Sequence, residues 1–279
     1  MQTKTPRRGT IRLTRRGRIA LIATGAVAAV TAVSVPLLLP DDDGRPESLT
    51  IPEGWRSSQV YGAVDKVLDV PAGTTKKALP KAGLKLPADA RGNPEGYLFP
   101  ATYPISDQST PASVLSYMVN TAAKKFSGNH VTAGAERNAV NVYQTVTIAS
   151  IIEAEAGSKA DMGKVARVIF NRLEQGMPLQ MDSTINYALN RSTLNTRDRD
   201  TEINSPYNTY ARMGLPPTPI GNPGEEAMRA ATTPAQGNWL YFVTVKPGDT
   251  RFTASFEEQQ KNVAEFNKNK SKDQKKQGT

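Results

Sequence analysis

The stretch TVTIASIIEAEAG, residues 145–157, is a strong helix former in a chain otherwise rich in turns. Its apolar residues recur with helical spacing. Gly157 follows at the position where a helix C-terminus favours a left-handed residue. The stretch therefore predicts a central helix that ends beside Gly157.

Two carboxylates lie within this apolar run, and helix geometry separates them. Glu153 shares a helix face with Ala149, Val146 and Val142. Glu155 lies about 200° around the helix and faces largely the other way. We therefore expect Glu153 to be held against an apolar surface, where burial raises the pKa of a carboxyl group as a general acid requires. The alternative is that both are ordinary exposed helix glutamates.

The excess of basic over acidic residues lies at the two ends of the chain, which has a formal net charge of +9 at pH 7. Residues 1–18 contain Lys and Arg but no acid, and residues 268–279 form a second basic cluster that we expect to be a disordered tail. A nucleic-acid-binding protein more typically interleaves basic residues with aromatics on a folded face. We therefore expect no nucleic-acid partner.

An uncharged segment rich in Ala, Val, Leu and Ile occupies residues 19–39. Its length suits a helix that crosses a bilayer. Arginines before it and aspartates after it place the N-terminus in the cytoplasm and the chain beyond Pro40 outside, by the positive-inside rule. We expect a single-pass anchor in the cell membrane. A cleavable signal peptide is the alternative, but no clear cleavage site follows Val33. The absence of cysteine excludes a lipoprotein anchor and disulfide bonds.

The remaining sequence predicts an α+β fold dominated by helices. A charged linker at 40–47 precedes a small subdomain at 48–90, with one strand and two helices, and a larger domain at 91–267. The larger domain's expected elements are an edge strand at 96–105, a helix begun by Thr110-Pro111, the central helix, a helix at 161–176, a short helix capped by Asp182 or Ser183, a polar mobile loop at 192–204, a helix capped by Asn222, a hairpin at 239–254 and a helix opened by Ser255.

Glycoside cleavage and acyl transfer are the two chemistries compatible with one strong acid candidate. Acyl transfer needs a base beside Ser or Thr, and the only histidine, His130, is expected in a surface loop without a recognisable context. With no cysteine and no second histidine, a His/Cys metal site is excluded, and no cofactor motif is present. The segment SPYNTY at 205–210 supplies the amides, hydroxyls and aromatics that a sugar site needs. Glycoside cleavage is therefore favoured.

Several motifs follow one another in an order that resembles a known family. They are ASIIEAE at 149–155, VARVIFNRL at 165–173, LQMDST at 179–184, YNTY at 207–210, GLPP at 214–217 and NPG at 222–224. Over roughly residues 96–266 the chain resembles the MltG/YceG-like family of bacterial endolytic murein transglycosylases. Ile51-Pro52-Glu53-Gly54 resembles the family's small LysM-like subdomain, which would be residues 48–90.

The resemblance implies a membrane-anchored enzyme that cuts nascent peptidoglycan strands, together with cell-wall synthases as partners. It assigns Glu153 as the catalytic acid between N-acetylmuramic acid and N-acetylglucosamine. Glu153 would then act as base while the muramyl 6-hydroxyl closes on C1 and leaves a 1,6-anhydro end. The expected substrate contacts lie in or beside the matched motifs and are Gln180, Asp182, Tyr207, Asn208, Thr209, Tyr210, Glu155 and Asn171.

The match has departures, and two other functions stay open. Ala101, Ala154, Ser183 and Thr218 replace residues common in the family and leave the preference for particular sugars open. The chain could be a non-catalytic, membrane-tethered peptidoglycan-binding scaffold, although such a protein needs no half-buried acid. It could also be a muramidase-type hydrolase. A hydrolase would need a second carboxylate, about 5–9.5 Å from the first, and Asp182 is the best candidate.

Overall fold

The computed structural model describes residues 47–191 and 198–277. The predicted cytoplasmic segment, the predicted transmembrane helix at 19–39 and the linker up to residue 46 lie outside these ranges, as does part of the predicted loop at 192–204. Within the described ranges, no helix is both long enough and apolar enough to cross a membrane.

Within the described residues helices dominate, and two small antiparallel sheets accompany them, which confirms the predicted α+β class. The strands are β1 (Glu47–Thr50), β2 (Thr102–Ile105), β3 (Tyr241–Lys246) and β4 (Asp249–Thr253); β1 pairs with β2, and β3 with β4. The helices are α1 (Ser57–Val67), α2 (Thr74–Ala78), α3 (Pro111–Phe126), α4 (Asn129–Arg137), α5 (Val142–Glu155), α6 (Lys159–Glu174), α7 (Asp182–Ala188), α8 (Glu225–Thr232) and α9 (Phe256–Gln277).

The first hydrophobic core combines residues from both sides of the expected boundary at residue 90. Leu49 and Val60 come from β1 and α1, whereas Tyr103 and Leu115 come from β2 and α3. The pairing of β1 with β2 crosses the same boundary. The small N-terminal part therefore packs through a core that it shares with residues 98–119. Its LysM-like character stays a prediction.

Helix α5 forms the centre of the second core, as the sequence predicts. Its residues from Thr145 to Ile152 are all buried, and it packs against α4, α6, α7 and α8. Asn141 caps its start, where the side-chain oxygen accepts from the Gln144 amide at 2.8 Å. The predicted left-handed turn at Gly157 is wrong. The helix instead ends in an extended residue, Ala156, and the chain continues directly into α6.

Two other predictions about secondary structure are wrong. His130 lies exposed in the first turn of α4, where the sequence predicted a loop. Helix α9 runs through Gln277, although the basic residues from 268 onward led us to expect an unstructured tail. No Gly or Pro interrupts residues 256–277, so the sequence contains no strong helix breaker within α9.

Candidate active site

The carboxylate of Glu153 lies in the last turn of α5, between two loops that are distant in sequence. Its Oε2 accepts a hydrogen bond from the Gly224 amide at 3.1 Å. On another side its Cγ packs against Gly54, where a Cβ would lie 3.5 Å away. Gly54 has a left-handed φ of +76°, which suits glycine in this turn. The Glu153 side chain is half-buried, as the helix-face argument predicted.

The surroundings of Glu153 raise its pKa above the ordinary glutamate value. Burial is the largest cause, and the nearby negative charge of Glu53 adds to it. The Gly224 amide and the cation of Lys159 act in the opposite direction. The position at the C-terminal end of α5 also disfavours a carboxylate, because the helix dipole is negative there and the last turn contains no basic residue.

Asn222 joins the Gly54 turn to the loop before α8. Its Nδ2 donates to the Trp55 carbonyl at 2.7 Å and its Oδ1 accepts from the Leu98 amide at 2.8 Å. The Gly54 amide donates to the Asn222 carbonyl, and the Asn222 amide donates to the Trp55 carbonyl, both at 2.8 Å. The prediction that Asn222 caps a helix is therefore wrong. Helix α8 begins at Glu225, with Gly224 before it.

Glu155 faces a different set of neighbours, as its position on the helix predicted. Its Oε1 accepts from the Ser183 amide at 3.0 Å and so satisfies the first turn of α7. Neither Asp182 nor Ser183 caps α7, in contrast to the prediction. Burial is the main cause that raises the Glu155 pKa; the Ser183 hydrogen bonds lower it, and Asp182 raises it further.

The hydroxyl of Tyr210 donates to Asp182 Oδ1 at 2.6 Å, so these two expected substrate contacts lie beside Glu155. Both side chains are half-buried. Asp182 acts electrostatically on Glu155, whereas the acid that adds to the pKa shift of Glu153 is Glu53. Asp182, the residue expected as the second carboxylate of a hydrolase, therefore lies next to Glu155.

Gln180 is exposed and lies in a strained turn. Its φ is +54°, a conformation that only a few per cent of non-glycine residues adopt. Two hydrogen bonds fix the turn. The main-chain amide of Gln180 donates to the Thr209 carbonyl at 2.9 Å, and the side-chain Oε1 of Gln180 accepts from Arg172 at 2.9 Å. The structure therefore holds this side chain at the surface in one orientation.

Asn208 and Thr209, two of the expected substrate contacts, have their side-chain polar groups engaged within the protein. Asn208 is 1% exposed; its Nδ2 donates to two main-chain carbonyls of the preceding loop, at 2.9 and 2.8 Å. Its Oδ1 accepts from the amides of Tyr210 and Ala211. The Thr209 hydroxyl is buried and accepts from the Met181 amide at 3.0 Å. These polar groups are used to hold the loop that carries the tyrosines.

Two further expected contacts are also engaged within the protein. Asn171 is 8% exposed, and its Nδ2 donates to the carbonyls of Gly237 and Trp239. It fastens the segment before β3 and lies outside the group around Glu153. Tyr207 is half-buried; its hydroxyl shares a hydrogen bond with Thr218 at 2.8 Å.

Sequence reasoning missed the residues that surround the acid, namely Glu53, Gly54, Asn222 and Gly224. The first two belong to the Ile51-Pro52-Glu53-Gly54 motif, in which an acid next to a glycine was the available signal. Around Glu153, whose pKa is raised, the structure thus places the main-chain donor of Gly224 and the second carboxylate of Glu53. In the described ranges no cluster of His, Cys or acidic residues is suited to hold a metal ion.

The site therefore joins a helix-rich fold to a half-buried acid in the last turn of the central helix α5. The sequence model of the YceG-like family matches residues 27–265, so the chain belongs to that family. The family resemblance deduced from the motifs is confirmed.

Individual relatives agree with this assignment. The chain is 41% identical over 169 residues to a Bacillus subtilis (strain 168) protein named endolytic murein transglycosylase; the match covers 60% of this chain and 46% of that protein. A Streptococcus pneumoniae (strain D39) protein of the same name is 33% identical over 245 residues, which are 78% of this chain and 44% of that protein. A crystal structure of a YceG-like protein from Listeria monocytogenes superposes with a TM-score of 0.65 at 30% identity and covers 77% of this chain and 75% of that chain. The chain thus spans less than half the length of the curated relatives.

Proposed function

We propose that this protein is an endolytic murein transglycosylase, which cleaves the bond between N-acetylmuramic acid and N-acetylglucosamine within peptidoglycan strands. The observation that carries the proposal is the half-buried carboxyl of Glu153, whose pKa is raised mainly by burial. The names of the relatives from Bacillus subtilis and Streptococcus pneumoniae support the same activity.

One carboxyl group suffices for this reaction because it changes role between the two halves. In the first half, the Glu153 proton moves to the glycosidic oxygen, and the C1–O bond breaks with its electron pair on the departing oxygen. In the second half, the Glu153 carboxylate accepts the proton of the muramyl 6-hydroxyl as O6 bonds to C1. No water is consumed, and the proton returns to Glu153. A pKa above the ordinary value suits both roles near neutral pH.

The Gly224 amide has a defined part in this scheme. It donates to Oε2 of Glu153 at 3.1 Å, which leaves Oε1 to carry the proton toward the substrate. This hydrogen bond also fixes the side-chain direction before the sugar binds, and it stabilises the carboxylate formed after the first proton transfer.

Mass spectrometry of muropeptides tests the proposal. The full chain is incubated with uncrosslinked glycan strands, beside the Glu153→Gln variant, which keeps an oxygen for the Gly224 amide. We expect internal cuts with 1,6-anhydro ends from the natural chain and none from the variant. Glu257→Gln, an exposed change in α9, is the matched control and should cut normally.

The products distinguish the other functions. Reducing ends would show hydrolysis and reject transglycosylation, because the two products differ by one water. Intact strands that bind to a folded chain would favour a scaffold. Loss of activity in Glu257→Gln as well as in Glu153→Gln would show that the assay reports stability, and the assignment of Glu153 would fail.

We also propose that residues 19–39 anchor the enzyme in the cell membrane, with its folded part outside, beside the cell-wall synthases that make its substrate. The charge distribution around this segment supports the proposal. Protease treatment of spheroplasts should digest the folded part and leave a membrane-bound N-terminal fragment. Recovery of the intact chain in the soluble fraction would contradict it.

A further inference from the structure

A second carboxylate reaches the acid from the N-terminal part of the fold. The turn that carries Glu53 and Gly54 lies between β1 and α1 and is fixed to the loop before α8. The Gly54 amide donates to the Asn222 carbonyl at 2.8 Å, and the Trp55 carbonyl accepts from both the amide and the side chain of Asn222. The turn therefore has a defined position relative to the end of α5.

Gly224 is the residue at which the two carboxylates meet. The Glu53 carboxylate occupies the place that a Cβ at position 224 would take. The Gly224 main-chain amide donates to Oε2 of Glu153 at 3.1 Å. Its φ of −80° and ψ of 177° are open to any residue. Glycine is thus needed here for the close approach of Glu53, and not for its backbone conformation.

The charged groups that face Glu153 come from separate elements. Glu53 approaches from the turn before α1, and Lys159 approaches from the start of α6. On the neighbouring helices, Asp182 of α7 acts on Glu155, and Glu226 of α8 pairs with Arg229 of the same helix. Glu53 is therefore the negative group directed at this acid.

We propose that Glu53 is a positioning residue for the Glu153 proton, supplied by the N-terminal part of the fold. The inference rests on the proposed function and deepens it. Glu53 neither gives nor takes a proton in the reaction. Its negative charge favours the protonated form of Glu153 before the first step, so Glu153 keeps its proton to higher pH while the turn before α1 is docked on the loop before α8.

The direct test is the titration of Glu153 in the full chain. Glutamate is labelled with ¹³C at the carboxyl carbon, and the Glu153 signal is identified by its loss in Glu153→Gln. In Glu53→Gln we expect its midpoint to fall, because an adjacent negative charge has been removed. The alkaline limb of the pH profile of kcat/KM should move to lower pH by the same amount, while the rate at acid pH is kept.

Gly224→Ala supplies an independent variant. The new Cβ would displace the flexible, exposed end of Glu53 without removing it, so the Glu153 midpoint should fall as in Glu53→Gln. In the Glu53→Gln background the same change should move the midpoint no further, since the charge is already absent. Glu257→Gln should leave the midpoint unchanged.

The outcomes separate this inference from the proposed function. An unchanged Glu153 midpoint in Glu53→Gln overturns the inference, whatever the activity. A lower midpoint in a natural chain that cuts no glycan supports the coupling of the two acids and rejects the proposed function. A Gly224→Ala midpoint that falls equally in both backgrounds overturns the role of Glu53, because the effect would then come from the Gly224 amide.

Discussion

Replacing Asn222 by alanine should destabilise the protein and weaken the site together. The Asn222 side chain is fully buried and bonds two main-chain groups that belong to other parts of the chain. Its removal leaves the amide of Leu98, a residue with 0% exposure, without its acceptor. The Trp55 carbonyl loses one donor but still accepts from the Asn222 main-chain amide at 2.8 Å.

The magnitude follows from these two groups. An unsatisfied buried donor costs about 1–3 kcal/mol, and the lost bond to a carbonyl that keeps another donor about 1 kcal/mol. We therefore expect the free energy of unfolding to fall by about 2–4 kcal/mol. For a folded part of this size, that corresponds to a fall in Tm of roughly 4–16 °C. The m-value should be unchanged, since the folded surface is the same.

Urea unfolding followed by circular dichroism measures the effect. Asn222→Asp keeps an oxygen for the Leu98 amide, but it places a carboxylate oxygen against the Trp55 carbonyl. Its decrease in the free energy of unfolding should therefore come from the contact with the Trp55 carbonyl alone. Asn238→Ala, an exposed change, is the control and should lie within about 0.5 kcal/mol of the natural chain. If Asn222→Ala lowered the free energy of unfolding by as little as the control does, the reasoning would be refuted, because the Leu98 amide would then have found another partner.

Three further changes test other contacts. Because burial raises the folded-state pKa of Glu155, its stabilising contribution is complete below the unfolded pKa and is lost as pH rises through the folded one. Glu155→Gln should therefore gain stability relative to the natural chain as pH rises above the unfolded pKa, and a difference that is flat with pH would contradict this. Tyr210→Phe loses its hydrogen bond to the carboxylate at the start of α7 and should be less stable by about 1 kcal/mol in urea unfolding. Gly96→Ala combines a φ of +85° with a Cβ only 2.6 Å from Pro219, so its Tm should fall by more than that of Gly92→Ala, whose φ is +80° but whose Cβ meets open space.

The helices and the hairpin were predictable because their signals are local. Helix spacing alone placed Glu153 on the same face as Val146 and Ala149. That face is buried in the structure, as predicted. Asn222 shows the opposite case. Its Asn-Pro-Gly-Glu pattern resembles a helix start, but the groups that its side chain satisfies lie more than a hundred residues earlier. No local sequence pattern shows that these distant main-chain groups need a hydrogen-bond partner.

The candidate site was predicted less completely because a sequence shows polar groups but not which of them are already engaged. Asn208 and Tyr210 stand in one motif, and either could bind a sugar. In the structure, the Asn208 side chain satisfies its own loop with both ends, whereas Tyr210 stays half-exposed beside Asp182. Glu53 was missed for a different reason, because only the folded chain brings it to the end of α5.

The acid therefore depends on tertiary contacts more than on its own helix. Helix α5 places Glu153 at its negative end, but the Gly54 turn covers one side of the side chain and brings Glu53 near it. If this turn undocked, water would reach Glu153 and the Glu53 charge would leave, and both changes would lower its pKa toward the ordinary value. The Gly224 hydrogen bond, which favours the charged form, would remain. Undocking of the turn would thus weaken proton donation by Glu153, so that cleavage would depend on the docking of the N-terminal part.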